Sequence, residues 1–382
     1  MNGWNSKQLG ELCDVLDHRR KPITKRDRTA GEYPYYGATG ILDYVAGYLF
    51  DEPLVLVGED GAKWASGEST AFSVEGKVWV NNHAHVLRPF RRQLLDSWLI
   101  YYLNYSDLTE FVSGLTVPKL NQGSLREIPI PLPPISEQRR IAGILDEAFV
   151  GIAVAKANTE KNLQNARAVF ESYLTEALIS EDKNWPSRRL DTLLMTARKI
   201  SYGIVKPGKH DPDGVRLIKS QQVRDNSMYL EEDFRITREL DEEYARTRLR
   251  GGEILLNLVG ASIGRSAIAP AELQGANVSR AIAVIPVRHE VARWVQYNLR
   301  CSVGQTAIQA KTGGSAQPVL NLSEVKSMAI PSPPLSEQRA TVKKLDELTS
   351  ETQDLESIYR RKLAALDSLK GSLLHQAFTG RL

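Results

Sequence analysis

Two stretches of the chain carry a helical pattern, and the rest reads as short strands and loops. In the second helical stretch Leu345, Leu348, Thr352, Leu355, Tyr359, Lys362, Leu366, Leu369 and Leu373 recur at alternating steps of three and four, the spacing of a heptad seam. The first stretch holds Leu145, Ala148, Ile152, Ala155, Thr159, Asn162, Ala166, Val169 and Tyr173 at the matching positions, many of them small enough to admit a partner helix closely. Upstream of each stretch, prolines such as Pro131, Pro133 and Pro134 bar a sheet interior and favour an extended approach, after which Ser136 can cap a helix beginning near residue 137. About 40 residues at 1.5 Å each give a rod of roughly 60 Å, and two such rods are expected to pair. Elsewhere, apolar runs such as PLVLV, KVWVNN, GEILLNLVG and RAIAVIPV are broken by Gly, Asn and Asp and read as short strands. Helical patches at Gln93 to Phe111 and Glu290 to Arg300 keep these segments from being all-β.

The chain repeats itself. Shifted by 200 residues, IPIPLPPISEQRRIAGILDEA from Ile128 meets MAIPSPPLSEQRATVKKLDEL from Met328, and Pro118-x-Leu120-Asn121 meets Pro318-x-Leu320-Asn321. A weaker echo opens each copy, Trp4 and Leu9 against Trp185 and Leu190. A period this long marks a duplicated domain with its connector rather than a solenoid. The expected fold class is α+β, with two globular domains separated by two long helices that form an antiparallel coiled coil, and an internal pseudo-twofold repeat. The expected limits are 1–135 and 181–335 for the globular domains and 136–180 and 336–382 for the helical spacers. The globular segments diverge far more than the connectors, as two different recognition tasks on one scaffold require.

With 382 residues, 42% hydrophobic and 25% charged, the chain has the composition of a folded multi-domain protein. No apolar run suits a membrane helix and no leader pattern opens the chain, so a cytoplasmic location is expected. Cys13 and Cys301 are too few and too far apart for a disulfide framework or a thiolate zinc site.

The net charge of +3 means that nucleic-acid binding must come from local clusters. From Asp17 to Arg28 six basic residues oppose two acidic ones, and from Arg198 to Arg224 seven oppose Asp211 and Asp213. Candidate DNA contacts in the first copy are Arg19, Arg20, Lys21, Lys25 and Arg26, with Tyr35 and Tyr36 in the following YYGATG segment. Lys63, Asn81, Asn82, His83 and Lys119 complete that set. In the second copy they are Lys199, Tyr202, Lys219, Gln221, Gln222 and Arg224, then Asn257, Arg265 and Arg280. Lys and Arg suit phosphates, while Asn and Gln suit adenine and Arg suits guanine. His83 and His85 would share a strand face able to grip a metal, but no third ligand is evident and no metal is expected. Glu75-Gly76-Lys77 is the tail of a nuclease-like pattern without its Pro-Asp partner. A methyltransferase's cofactor loop with Asn/Asp-Pro-Pro-aromatic motif and an ATPase phosphate loop are both missing from the sequence, so no catalytic residue is expected.

The two IPxPxPPxSEQR elements, each opening a long helix after a PxLN segment, resemble the conserved regions of type I restriction-modification specificity subunits. The ending LLHQAFTGRL is similar to that family's usual C-terminus, and YYGATG to an element of its first variable region. The resemblance implies a non-catalytic subunit whose two target recognition domains each read one half of a bipartite double-stranded DNA site, with the helices as a ruler. It implies docking of two modification subunits, for which Ser136, Glu137, Gln138 and Arg139 and their repeats Ser336, Glu337, Gln338 and Arg339 are candidates; two restriction/translocation subunits are optional further partners. S-adenosylmethionine, ATP and Mg would belong to those partners and no cofactor to this chain. The second variable region departs from the first, holding AsnValSerArgAla where the first has AsnAsnHisAlaHis. Two other readings stay open from the residues alone: a duplicated protein-binding adaptor, and the recognition fragment of a single-chain methyltransferase or nuclease.

Overall fold

A computed structural model describes residues 4–114, 116–179, 184–312 and 318–382. The expected boundary between residues 180 and 181 lies outside the described residues. The chain divides into two compact units, Met1–Lys161 with Tyr359–Leu382, and Asn162–Ile358.

In the first unit, a four-stranded antiparallel sheet runs in the order Cys13–Val15, Ala84–Pro89, Leu54–Gly58, Ala71–Val74. The run LVLVG is apolar at every position because the sheet is covered on both faces: Val55 and Val57 face one core with Leu87 and Trp98, while Leu54 and Leu56 face another with Phe50, Val78 and Val86. A second sheet orders Gly40–Val45, Ala30–Gly37, Lys77–Val80 and Phe50–Asp51, with one parallel pair, Tyr35 opposite Trp79. The short strand Ser6–Gln8 clamps Pro129–Pro131, so the domain's first residues meet its last. Helices α1 (Asp96–Tyr105) and α2 (Gln122–Glu127) complete the globule, and Asn121 caps α2 by accepting from Ser124 N–H at 2.9 Å.

The long helix α3 (Ile135–Ile179) starts two residues ahead of the expected position. The Pro134 carbonyl accepts from the N–H groups of both Glu137 and Gln138, so Ser136 lies inside the first turn instead of capping it.

The second unit repeats the scheme. Its four-stranded sheet orders Ser201–Tyr202, Ile282–Ile285, Ile254–Asn257 and Ser266–Ile268, again two-faced, with Ile254 and Leu256 in one core and Leu255 in another. Arg235–Ile236, Val215–Ile218 and Asn277–Val278 form a second sheet with one parallel pair, Leu217 opposite Asn277. Ser187–Arg189 clamps Ala329–Pro331. The helices are α4 (Arg238–Glu243), α5 (His289–Arg300), α6 (Ser302–Ala310), α7 (Leu322–Ser327) and α8 (Leu335–Phe378). Trp98 in α1 donates from Nε1 to the Pro131 carbonyl at 2.8 Å, and Trp294 in α5 does the same to Pro331 at 2.7 Å.

Within each unit α3 and α8 run antiparallel. In the first, Arg140 donates to the Leu382 carbonyl at 2.7 Å, Lys370 lies over the Phe149 ring, and Lys156 pairs with Asp367. In the second, Arg167 grips Glu356 with two bonds of 2.8 and 3.0 Å. The seam departs from the expected heptads beyond Thr159 in α3 and beyond Thr352 in α8. Asn162 and Val169 are exposed, and Leu163 and Phe170 turn inward; likewise Leu355, Lys362 and Leu369 are exposed while Leu363 turns inward. A helix of 3.6 residues per turn drifts against a 3.5-residue repeat, and the extra steps of four absorb that drift.

Candidate nucleic-acid interface

The first unit concentrates charge where the strand Leu54–Gly58 ends. Asp17 and Glu59 are nearly buried and His85 is fully so. His85 Nδ1 lies 2.6 Å from Asp17 Oδ2 and its Nε2 lies 2.7 Å from the Leu120 carbonyl, so both ring nitrogens face oxygen acceptors. Arg20 bonds to Glu59, approaches Asp17 at 3.3 Å and donates to the Ala84 carbonyl at 2.8 Å. Lys119 Nζ sits 2.7 Å from Glu59 Oε1. Burial would raise both carboxyls, but it is outweighed. The His85 contact, the Val86 N–H and Arg20 hold Asp17 below the usual carboxylate range, and Lys119, Arg20 and His85 do the same for Glu59.

Asp17, Glu59 and His85 offer ligand atoms within 4.8 Å of one another. Two permanent cations already balance the carboxylates, and the ring nitrogens are engaged, so the donor set does not fit a metal ion. Nor do His83 and His85 converge: His83 is half exposed and paired with Asp60.

The candidate contacts separate into three groups. Lys21, Lys25, Arg26, Lys63, Asn82 and His83 are exposed, and among the described residues Arg26 and Lys63 have only weak ion-pair partners, Asp27 at 3.4 Å and Glu68 at 3.7 Å. Arg19, Lys119 and Tyr36 are partly committed: Arg19 lies over the Phe50 ring and donates to the Leu49 carbonyl, and Tyr36 packs on Phe72. Arg20, Tyr35 and Asn81 are interior. The Tyr35 hydroxyl accepts from Ile23 N–H at 2.9 Å under the Arg28 guanidinium, and Asn81 holds the turn by accepting from His83 N–H at 2.8 Å.

In the second unit Lys199, Tyr202, Gln221, Arg224 and Arg280 are exposed. Arg224 stands over the Tyr229 ring, Arg265 is 4.0 Å from Asp225, and Lys219 pairs with Glu232 over the Phe234 ring. Gln222 and Asn257 are fully buried. Gln222 accepts from Lys219 N–H and donates to the Glu232 carbonyl, closing its own loop; Asn257 donates to the Ser220 carbonyl at 2.9 Å.

Two features were not singled out from the sequence. Arg246 and Arg250 join Lys199, Arg198 and Arg248 around a cleft of about 300 Å³. Arg198 and Arg248 are spent on Glu253 and Asp241, while Lys199, Arg246 and Arg250 are exposed. The alternation in TyrAlaArgThrArgLeuArg was the available signal, hidden because the acidic run just before it cancels the local charge.

The second feature is a replacement. Leu120 N–H bonds to the Glu59 carbonyl and Leu320 N–H to that of Leu258, with Asp60 facing Lys119 and Val259 facing Val319. Glu59, Lys119 and His85 therefore correspond to Leu258, Val319 and Ala283. Where the first unit holds its charge network, the second has a cavity of about 670 Å³ lined by Tyr202, Val205, Leu258, Val319 and Arg280. The two lobes share strands and differ in chemistry at the same place.

Of the connector residues, Ser136, Arg139, Ser336 and Arg339 are exposed, Glu137 and Glu337 are partly so, and Gln138 and Gln338 are buried. Among the described residues no helix is long and apolar enough to cross a membrane.

The chain matches the type I restriction modification DNA specificity domain over residues 1–164 and 211–363. It is 30% identical over 294 residues to the type I restriction enzyme EcoBI specificity subunit of Escherichia coli, covering 71% of this chain and 62% of that protein. It is 39% identical over 140 residues to the putative type I restriction enzyme specificity subunit S.HindORF215P of Haemophilus influenzae, covering 37% and 36%. These alignments thus span less than two thirds of either relative's length. A solved chain from a study of complex assembly and conformational transition in the type I R-M system superposes with a TM-score of 0.75, at 18% identity, over 100% of this chain and 98% of that one. With its family match falling on both copies of the repeat, the chain belongs to the type I restriction modification DNA specificity domain family.

Proposed function

We propose that this chain is the DNA sequence-specificity subunit of a type I restriction-modification complex, non-catalytic by itself, with each unit reading one half of a bipartite target. One observation carries the reading: two units whose four-stranded sheets follow the same order hold different chemistry at equivalent positions, a charge network in one and an open, largely apolar cavity edged by Tyr202 and Arg280 in the other. A scaffold duplicated to bind one ligand twice would keep that chemistry; a pair of readers for two different sequences would change it. We assign the readers to residues 1–135 and 181–335, and the half-site spacing to the length of α3 and α8.

Phosphate contacts fall to the exposed cations Lys21, Lys25, Arg26 and Lys63 in the first unit and to Lys199, Arg224, Arg246 and Arg250 in the second. Asn82, His83, Tyr202, Gln221 and Arg280 are the exposed groups able to reach base edges. The interior Arg20, Tyr35, Asn81, Gln222 and Asn257 set the loops that carry them. The partners are two modification subunits, docked along the PPxSEQR elements, with restriction subunits as an optional addition. Adenine methylation, ATP hydrolysis and their cofactors belong to those partners, in the cytoplasm.

Sequencing methylated adenines in a host that carries this chain with its modification subunit tests the reading. One bipartite motif is expected, and exchanging residues 1–135 for those of another specificity chain must change one half of it and leave the other. Methylation with no bipartite motif, or loss of both halves on exchange, would leave the protein-binding adaptor as the better account.

A further inference from the structure

In the unit Asn162–Ile358 a cavity of about 480 Å³ opens at the start of α8. Its wall is apolar, formed by Leu193, Val291, Trp294 and Pro333, and the cations Arg188 and Arg288 stand at its side. Both arginines are exposed. Arg288 has Glu290 at 3.7 Å, and Arg188 has no ion pair among the described residues.

Gln338 lines this cavity, is 6% exposed, and its Oε1 has no hydrogen-bond partner. Its Nε2 donates to the Pro333 carbonyl at 2.8 Å. The repeat shows what is missing. Gln138 makes the same bond to Pro133 at 2.9 Å, but it also donates to the Gln93 carbonyl at 2.8 Å and accepts from Leu95 N–H at 3.0 Å. A short non-helical strap, Gln93 to Leu95, which leaves the turn at Phe90 and enters α1, is therefore clamped on Gln138 by both edges of its amide. With Trp98 and Trp294 as equivalent anchors, Leu95 corresponds to Val291. Leu95 precedes α1, whereas Val291 already lies inside α5, where its N–H is spent on the Arg288 carbonyl at 3.0 Å. One additional helical turn has taken the donor and removed the strap.

We infer that this cavity receives a short non-helical segment of a partner protein. That segment brings a main-chain N–H to Gln338 Oε1, a leucine-sized side chain to the apolar wall, and a carboxylate to Arg188 and Arg288. The inference rests on the reading that the PPxSEQR elements face partner subunits. The unsatisfied atom selects against the obvious competitor for two arginines: a phosphodiester brings acceptors only, and Gln338 Oε1 needs a donor.

The first unit's strap supplies the probe, acetyl-Gln-Leu-Leu-Asp-amide, the sequence of residues 93–96. Added to the full-length chain with 15N-labelled glutamine side chains, it should shift the Gln338 amide resonances with a dissociation constant of roughly millimolar order. Arg288→Gln, at an exposed position, should weaken binding about tenfold. Gln338→Met should abolish it, and the peptide ending in Lys should not bind. Equal binding of the Asp and Lys peptides, persistence in Gln338→Met, or the same shifts with inorganic phosphate would overturn the assignment. Copurification of the chain with its modification subunit reports on the broader reading separately: intact copurification without peptide binding sinks the cavity alone.

Discussion

His85 Nδ1 lies 2.6 Å from Asp17 Oδ2 in the interior of the first lobe, tying the strand Ala84–Pro89 to the basic loop that follows Cys13–Val15. Gln122 Nε2 reaches the same oxygen at 3.3 Å, so the loop, the sheet and α2 meet on one carboxylate.

That carboxylate makes the lobe acid-sensitive. Asp17 and Glu59 are both held below their ordinary values in the folded chain, so the unfolded chain binds their protons more tightly. Their stabilisation is fully present above the unfolded values, near pH 4, and is lost as pH falls through the lower folded values. Urea unfolding of the first lobe, followed from pH 7 down to acid, should show a falling midpoint. Asp17→Asn should flatten that fall and destabilise the chain at pH 7, because the nearly buried Arg20 then keeps only Glu59 as a counter-charge. An unchanged slope would remove Asp17 from the network.

Arg20 and Lys25 come from one basic run but should behave differently. Lys25→Ala and Arg26→Ala remove exposed charge, so each should lower the slope of log K against log salt by about 1 and weaken all sequences alike. Arg20→Ala instead breaks a part-buried bond to Glu59 and should lower the melting temperature before it alters any salt slope. Filter binding across a salt series, beside thermal melts, separates the two; a lost slope with unchanged melting in Arg20→Ala would return it to the DNA surface.

The second lobe carries the matching test. Arg246→Ala and Arg250→Ala should each reduce the salt slope, since both are exposed at the basic cleft. Arg248→Ala should destabilise instead, its guanidinium being held by Asp241 and Glu242. Equal salt slopes for all three variants and the parent chain would take the cleft out of the interface.

The repeat, the helical connectors and the strand runs were legible because each is a local pattern: LVLVG and ILLN are apolar throughout, and the seam recurs every three or four residues. The fate of a polar residue was not. Gln221 and Gln222 are neighbours, yet one is exposed and the other closes its own loop with two bonds to main chain. Arg19 and Arg20 diverge in the same way. Burial there depends on Glu59, Ala84 and Glu232, which approach only after the strands pair, and composition carries no trace of that. The seam was readable to Thr159 in α3 and to Thr352 in α8, after which the drift between 3.6 and 3.5 residues per turn moved the inward face by one position.

Both thiols should be inert in the folded chain. Burial, assisted by Asp96 and Asp14, pushes Cys13 up to about 12, and burial also raises Cys301. Iodoacetamide at neutral pH should leave both unmodified in native protein and alkylate both in guanidinium. Rapid native labelling of Cys13 would mean that the sheet edge beside it opens readily.

The helices offer the sharpest separation of spacing from sequence. Deleting residues 160–166 and 357–363 together removes one heptad from each helix, leaving Thr159 to meet its partners in an unbroken seam. At 1.5 Å per residue this shortens each helix by about 10 Å, or roughly three base pairs of duplex. The methylated motif should keep both half-sites and lose about three positions from the spacer between them. Deleting from α3 alone shifts Arg167 away from Glu356 and Lys156 away from Asp367, so it should lower the melting temperature and abolish methylation. Altered half-site letters in the double deletion would mean that α3 and α8 take part in reading bases, and that the distance between lobes is set elsewhere.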